Sequence, residues 1–193
     1  SHVPHRRHET VGSRCQRYQV LYELINRTIE KAASEGGGTI YFPVGTYLTA
    51  TIHMKSNITL YLESGAVLRF SDKFEDYLPF VTLRWEGTVM KSLSPLIYAH
   101  SADNVTISGR GTLDGNGLKW WLWEFDTRKV IKENGGKLPT LDKLQQMWVD
   151  ANKDLEISDY YKPSLERRMF RPPFIQFYEC TNILIENVKT VSY

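Results

Sequence analysis

The sequence predicts an all-β solenoid, a right-handed parallel β-helix closed at its N-terminal end by an α-helix and carrying a partly helical insertion. Three observations lead there. Short β-branched and aromatic runs are separated by Gly, Asn and Pro, too short for helices and bounded by turn residues. One frame recurs, a polar residue, an Asn and an alternating apolar strand: Ser56-Asn57-Ile58-Thr59-Leu60, Asp103-Asn104-Val105-Thr106-Ile107 and Thr181-Asn182-Ile183-Leu184-Ile185. A single amphipathic helix precedes all of them. Strands this short bury an apolar face only by stacking coil on coil with parallel hydrogen bonds between coils.

In chain order, residues 1–20 show neither a helical nor an alternating period and read as a flexible or aberrant leader. They contain His2, His5 and His8 but no apolar stretch of the kind a signal peptide needs. From residue 21, Leu21, Leu24, Ile25, Ile29, Ala32 and Ala33 fall on one helical face, and Gly36-Gly37-Gly38 stops the helix. That helix is placed to cover the open edge of the first coil. The strands that follow are Thr39–Phe42, Tyr47–Ile52, Ile58–Leu62, Ala66–Phe70 and Leu96–Ala99. The recurring Asn marks a coil corner, where it tolerates left-handed backbone and offers its amide to the Asn of a neighbouring coil. Asn26, Asn57 and Asn104 also lie in Asn-x-Thr sequons, and the corner role is preferred to glycosylation. The 47-residue interval from Asn57 to Asn104 reads as two units of about 20–25 residues. Residues 118–171 interrupt the pattern with Trp120, Trp121, Trp123 and Trp148 and a second helix from Thr140 as N-cap. The whole of 21–193 is read as the N-terminal coils of a β-helix domain incomplete at its C-terminus.

Composition narrows the function classes. Apolar residues make up 41% and charged residues 24% of the chain, and no apolar run approaches the ~18 residues that span a bilayer, so no membrane role is expected. The net charge of +2 is concentrated in the leader, where four Arg face one acid, leaving 20 basic against 21 acidic residues in the body. A nearly neutral body is no nucleic-acid surface. Cys15 and Cys180 form no CxxC pair, and neither a metal site nor a cofactor is predicted.

Specific motifs carry the argument further. Gly36-Gly37-Gly38-Thr39-Ile40-Tyr41-Phe42-Pro43-Val44-Gly45-Thr46-Tyr47, Ile107-Ser108-Gly109-Arg110-Gly111-Thr112-Leu113-Asp114-Gly115-Asn116-Gly117 with Trp120-Trp121, and Arg171-Pro172-Pro173 leading to Cys180-Thr181-Asn182-Ile183 together strongly resemble glycoside hydrolase family 28, the polygalacturonases and their relatives. Arg84-Trp85-Glu86-Gly87 with Ser94-Pro95-Leu96 looks like the bacterial branch of that family. The resemblance runs from about Leu21 to Tyr193. It implies a pectic polysaccharide as substrate, an inverting two-carboxylate hydrolysis, and secretion or a periplasmic location. It also implies catalytic aspartates in Asn-Thr-Asp-Gly-x-Asp and Asp-Asp segments, neither of which occurs in the chain. No residue here is therefore assigned a catalytic role; the catalytic residues are expected after Tyr193, and the chain as given is expected to be inactive.

The acids present support that expectation. Inverting hydrolysis needs two carboxyl groups ~6.5–9.5 Å apart on opposite sides of the scissile bond. Asp72, Glu75 and Asp76 read as a solvated turn, Asp114 as a turn residue bonded to backbone, and His53 and His100 as packing or surface histidines. A polyanionic substrate is best gripped by Arg with aromatic platforms nearby, so Arg84, Trp85 and Glu86, placed in a loop between strands, and Trp121 are the substrate-binding candidates. Arg171 reads as a structural anchor for the return from the insertion. Two other readings use the same fold, a polysaccharide lyase and a non-catalytic carbohydrate-binding β-helix. The lyase needs calcium-binding acid clusters and a basic residue to abstract a proton.

Overall fold

A computed structural model describes residues 14–155 and 171–192, with side chains from residue 21. After the helix α1 (Arg14–Ser34), alternation along each short run turns one face inward, and the runs wind as coils. The first coil is β1 (Gly38–Phe42), β2 (Gly45–Thr49) and β3 (Ile52–His53). The second is β4 (Ile58–Leu62) and β5 (Ala66–Phe70), then the antiparallel hairpin β6 (Val81–Trp85) and β7 (Thr88–Ser92), which leaves the stack, then β8 (Ile97–His100). The third is β9 (Asp103–Gly109) and β10 (Thr112–Asp114), then the helices α2 (Leu118–Glu133) and α3 (Lys143–Asn152), then β11 (Ile175–Tyr178). β12 (Thr181–Ile185) and β13 (Lys189–Val191) begin a fourth.

Three parallel sheets result, ordered β1-β4-β9-β12, β2-β5-β10-β13 and β3-β8-β11. The fold is a right-handed parallel β-helix with a capping helix. Register aligns like with like down the interior. Ile40 lies over Leu60, Leu60 over Ile107 and Ile107 over Ile185, while Ile52 and Ile175 flank Ile97 in the third sheet. Most of these side chains are fully buried, each stabilising the stack by about 1.5–3 kcal/mol relative to exposure. Outside, the Tyr41 and Tyr61 rings stack with centroids 5.8 Å apart.

The corners make this winding possible. Asn57, Asn104 and Asn182 all adopt left-handed backbone, φ 63°, 59° and 52°, and Gly37 holds the same position in the first coil at φ 121°. Asn104 Nδ2 donates to Asn57 Oδ1 at 3.1 Å, the amide-to-amide bond expected of such a corner. At the next step Asn182 Nδ2 turns instead to Asp103 Oδ1 at 2.7 Å, an oxygen that also accepts from Thr181 Oγ1 at 2.6 Å. A charged acceptor outbids a neutral amide. At another corner Gly109 has φ 106°, and a Cβ there would sit 2.0 Å from the Leu62 carbonyl oxygen.

Several expectations are corrected. Asn57 and Asn104 sit on adjacent coils, so the 47-residue interval is one coil lengthened by the hairpin, not two units. α1 begins at Arg14, inside the stretch read as leader, because Arg and Gln sustain a helix without an apolar stripe. The rest of the leader lies outside the described residues. Asn26 is no corner: on α1, its Nδ2 donates to Thr51 O at 3.1 Å and its Oδ1 accepts from His53 N at 2.9 Å, satisfying the open edge of the first coil. Asp142, not Thr140, caps α3, through a capping box with Gln145. Among the described residues no helix is long and apolar enough to cross a membrane.

Two predictions follow from the corners. Gly109→Ala should destroy the fold, while Asn104→Ala should cost about 1–3 kcal/mol and Asn104→Gly about 1, because glycine keeps the left-handed backbone and loses only the amide bond. Urea unfolding reads the difference, and equal midpoints for the two Asn104 variants would contradict the corner account. The Thr181 and Asn182 hydrogen bonds hold the Asp103 carboxyl below the usual carboxylate range. Its folded value lies below its unfolded one, so its contribution is present above the ordinary carboxylate range and disappears as pH falls through the folded value. Asp103→Asn should therefore flatten the acid limb of the stability profile.

Candidate functional site

Both excursions, the β6–β7 hairpin and the α2–α3 insertion, leave the stack at the same corner, between the second and third sheets. Aromatic packing joins them. Phe74, in the turn before the hairpin, stacks on Trp123 at 4.1 Å between centroids and leans on Trp120 at 4.5 Å; Trp123 stacks on Trp148 at 6.0 Å. Trp148 is fully buried and its Nε1 donates to Ser92 Oγ at 2.9 Å. Of the four tryptophans in the insertion, three therefore pack it onto the coils and the hairpin.

A two-stranded hairpin leaves two unpaired edges, and here a carboxamide bonds to each. The Asn152 side chain donates to Lys91 O at 2.8 Å and accepts from Lys91 N at 2.7 Å, standing in for a strand beside β7. Gln176 does the same beside β6, donating to Arg84 O at 2.8 Å and accepting from Arg84 N at 2.9 Å. The hairpin is thereby tied to α3 on one side and to β11 on the other.

Where the excursions meet the stack, a groove opens. Trp85, Trp120, Trp121, Arg171, Pro172 and Phe174 line it. Trp121 is 60% exposed, the one tryptophan of the insertion that presents a ring to solvent. Trp120 is buried, and its indole N–H has no hydrogen-bond partner, an unsatisfied donor in the wall of the groove. Arg171 Nε pairs with Glu124 Oε2 at 2.6 Å, and Arg128 holds the other oxygen of the same carboxylate. A shallower pocket between Trp121, Phe125, Arg128 and Arg171 adjoins this pair.

Of the four binding candidates, Trp85 and Trp121 come together in the groove; Arg84 and Glu86 do not line it. Arg84 and Trp85 belong to strand β6, not to a loop, and Glu86 occupies the hairpin turn with φ 46°. The Arg84 side chain folds back along its own hairpin, its Nη2 donating to Gly87 O at 3.2 Å. Arg171 is the cation that reaches the groove. It is an anchor as well, fastening the return segment to α2. The Arg-Pro-Pro run was visible in the sequence, but the direction of the side chain depends on Glu124, on a helix far along the chain.

Two of the singled-out acids are engaged structurally. Asp114 Oδ1 accepts from Asn116 N at 2.9 Å and Oδ2 lies 3.4 Å from Arg69 Nε, while Asp76 accepts from Ser71 Oγ. Among the described residues no group of three or more His, Cys, Asp and Glu is arranged to hold a metal.

Comparison with known proteins agrees with the fold and the motifs. No family profile matches the chain. A probable polygalacturonase of Vitis vinifera is 33% identical over 137 residues, covering 68% of this chain and 26% of that protein. The solved exopolygalacturonase of Thermotoga maritima superposes with a TM-score of 0.64 at 38% identity, over 87% of this chain and 37% of that one. At 23% identity, where likeness shows the fold alone, a family 28 exopolygalacturonase of Yersinia enterocolitica gives 0.55 and a putative glycosyl hydrolase of Parabacteroides merdae 0.53, matched over 31% and 57% of their lengths. In sequence and in fold the chain is thus similar to the polygalacturonases, along a stretch that makes up 26% of the Vitis protein and 37% of the Thermotoga one.

Proposed function

We propose that this chain forms the substrate-binding wall of a glycoside hydrolase acting on polygalacturonan, a secreted or periplasmic protein. The observation that carries the reading is the groove in which Trp85, Trp121 and Arg171 converge. Aromatic rings offer apolar faces to the C–H surfaces of pyranose rings, and a guanidinium is matched in shape and charge to a uronate carboxylate. Similarity to polygalacturonases of plant and bacterial origin supports the substrate class.

The chemical step lies elsewhere. Hydrolysis with inversion needs an acid to protonate the leaving oxygen and a base to activate water. Asp76, Asp103 and Asp114 are each committed to hydrogen bonds within the fold. The aspartates that would supply those roles are expected in segments absent from these residues, so the 193-residue chain should bind polymer without cleaving it.

Polygalacturonate binding followed by tryptophan fluorescence, with a reducing-end assay in parallel, tests this. The wild-type chain should bind and release no reducing ends. Trp121→Ala should weaken binding by about tenfold with an unchanged melting temperature, since that ring is exposed. Arg171→Ala should weaken it as well and also lower the melting temperature, since the ion pair with Glu124 is lost. Release of reducing ends by the wild-type chain, or undiminished binding by both variants, would overturn the proposal.

A further inference from the structure

The chain contains eight asparagines, a residue whose side-chain carbonyl carbon is open to attack by the backbone nitrogen that follows it. A β-branched neighbour hinders that attack, and glycine hinders it least. The corners are shielded in this way, because Asn57, Asn104, Asn182 and Asn187 precede Ile58, Val105, Ile183 and Val188. Asn26 and Asn152 are held instead by hydrogen bonds at both ends of their amides. Only Asn116 and Asn134 precede glycine, and the fold treats the two differently. Asn116 Oδ1 accepts from Arg69 Nη2 at 3.3 Å while its Nδ2 donates to Phe70 O at 3.2 Å. Gly117 is buried so tightly that a Cβ there would lie 2.9 Å from the Ser192 carbonyl oxygen. Asn134, at the C-terminal end of α2, is exposed, and its side chain makes a single bond, from Nδ2 to Val130 O at 2.8 Å. Gly135 has φ 69° and open space around it, and its N–H meets no acceptor among the described residues, whereas the next amide, Gly136 N, is tied to Ile131 O at 2.9 Å.

We propose that Asn134 is a site of spontaneous covalent modification, converting to aspartate and isoaspartate in the folded protein while Asn116 does not. The Gly135 nitrogen, its proton lost to hydroxide, attacks Asn134 Cγ and closes a succinimide; the Cγ–Nδ2 bond breaks, and Nδ2 leaves as ammonia after taking a proton from water. A second water opens the ring at either carbonyl, giving aspartate or an isoaspartate whose main chain runs through the side chain. The nucleophile is intramolecular and the only co-reactant is water, so no enzyme or redox partner is required. Both products act on the end of α2. Each places a carboxylate where the helix already presents its negative pole, and each removes the amide that donates to Val130 O. Isoaspartate also adds a methylene between Ile131 O and Gly136 N, breaking the bond that closes the helix. Because α2 carries Trp120, Trp121 and Trp123, the change loosens the insertion and leaves the coil stack alone.

Peptide mapping by mass spectrometry tests the site, on the full chain incubated at mildly alkaline pH either folded or in urea. In the folded chain the peptide that contains Asn134 should gain one mass unit and split into two products of equal mass, about tenfold faster than any change at Asn116. In urea, where the fold no longer separates the two Asn-Gly pairs, they should convert at comparable rates. The folded rate should rise with pH, since the deprotonated amide is the attacking species. Asn134→Gln, which must close a larger ring, should stay unmodified and keep the melting transition of fresh protein on storage, while the stored wild type melts lower. Conversion of Asn116 as fast as Asn134 in the folded chain, or an Asn134 that survives folded and converts only in urea, would overturn the proposal.

Discussion

The structure depends on each coil returning to its starting point in register with the coil before. A parallel ladder tolerates no slip, because a shift of one residue exchanges the inward and outward faces of a strand. In this chain the return is enforced at corners where the backbone must enter the left-handed region, and Gly37, Asn57, Asn104 and Asn182 occupy equivalent corner positions on four successive coils. Only glycine and, at small cost, asparagine or aspartate accept that conformation routinely. The apolar ladder from Ile40 to Ile185 is a consequence of this corner geometry as much as of hydrophobicity.

The excursions follow a different logic. They cannot use the ladder, so they are attached by side chains: a row of aromatic rings from Phe74 through Trp123 to Trp148, and two carboxamides that take the place of missing strands. Gln176 matters most for the groove. Being part of β11, it transmits the register of the stack to Arg84 and so fixes the adjacent Trp85 relative to Arg171 and Phe174. The groove is thus positioned by the rigid solenoid even though most of its walls come from outside it.

The stack was largely legible in the sequence. Ile58–Leu62 and Asp103–Gly109 alternate cleanly, each has a turn-forming Asn, Asn57 just before the first and Asn104 second in the other, and pairing merely joins what the pattern already orients. Asn104 even bonds to the residue the frame repetition nominates. The hairpin was harder to see. Val81–Trp85 and Thr88–Ser92 alternate as well, but their turn has Glu86 at positive φ, and the buried Ser92 receives the Trp148 indole of the insertion. Without the hairpin, the coil length was misread. Within the site, Trp120, Trp121 and Trp123 share a helix turn, and no period distinguishes the two that pack inward from the one that faces solvent. The direction taken by Arg84 was equally invisible, since it is decided by the Gly87 carbonyl. Tertiary partners, not local propensity, made these choices.

The common exit point of the two excursions has a further consequence. Because both the hairpin and the helices depart after the second sheet and come back into the third, the number of residues inserted there does not alter the pitch, the corner or the partner of any stacked strand. Length and composition at that one seam are decoupled from the scaffold. Loops spliced in at this position can reshape the cleft without a compensating change elsewhere, whereas a single residue added between β4 and β5 would be felt through every coil.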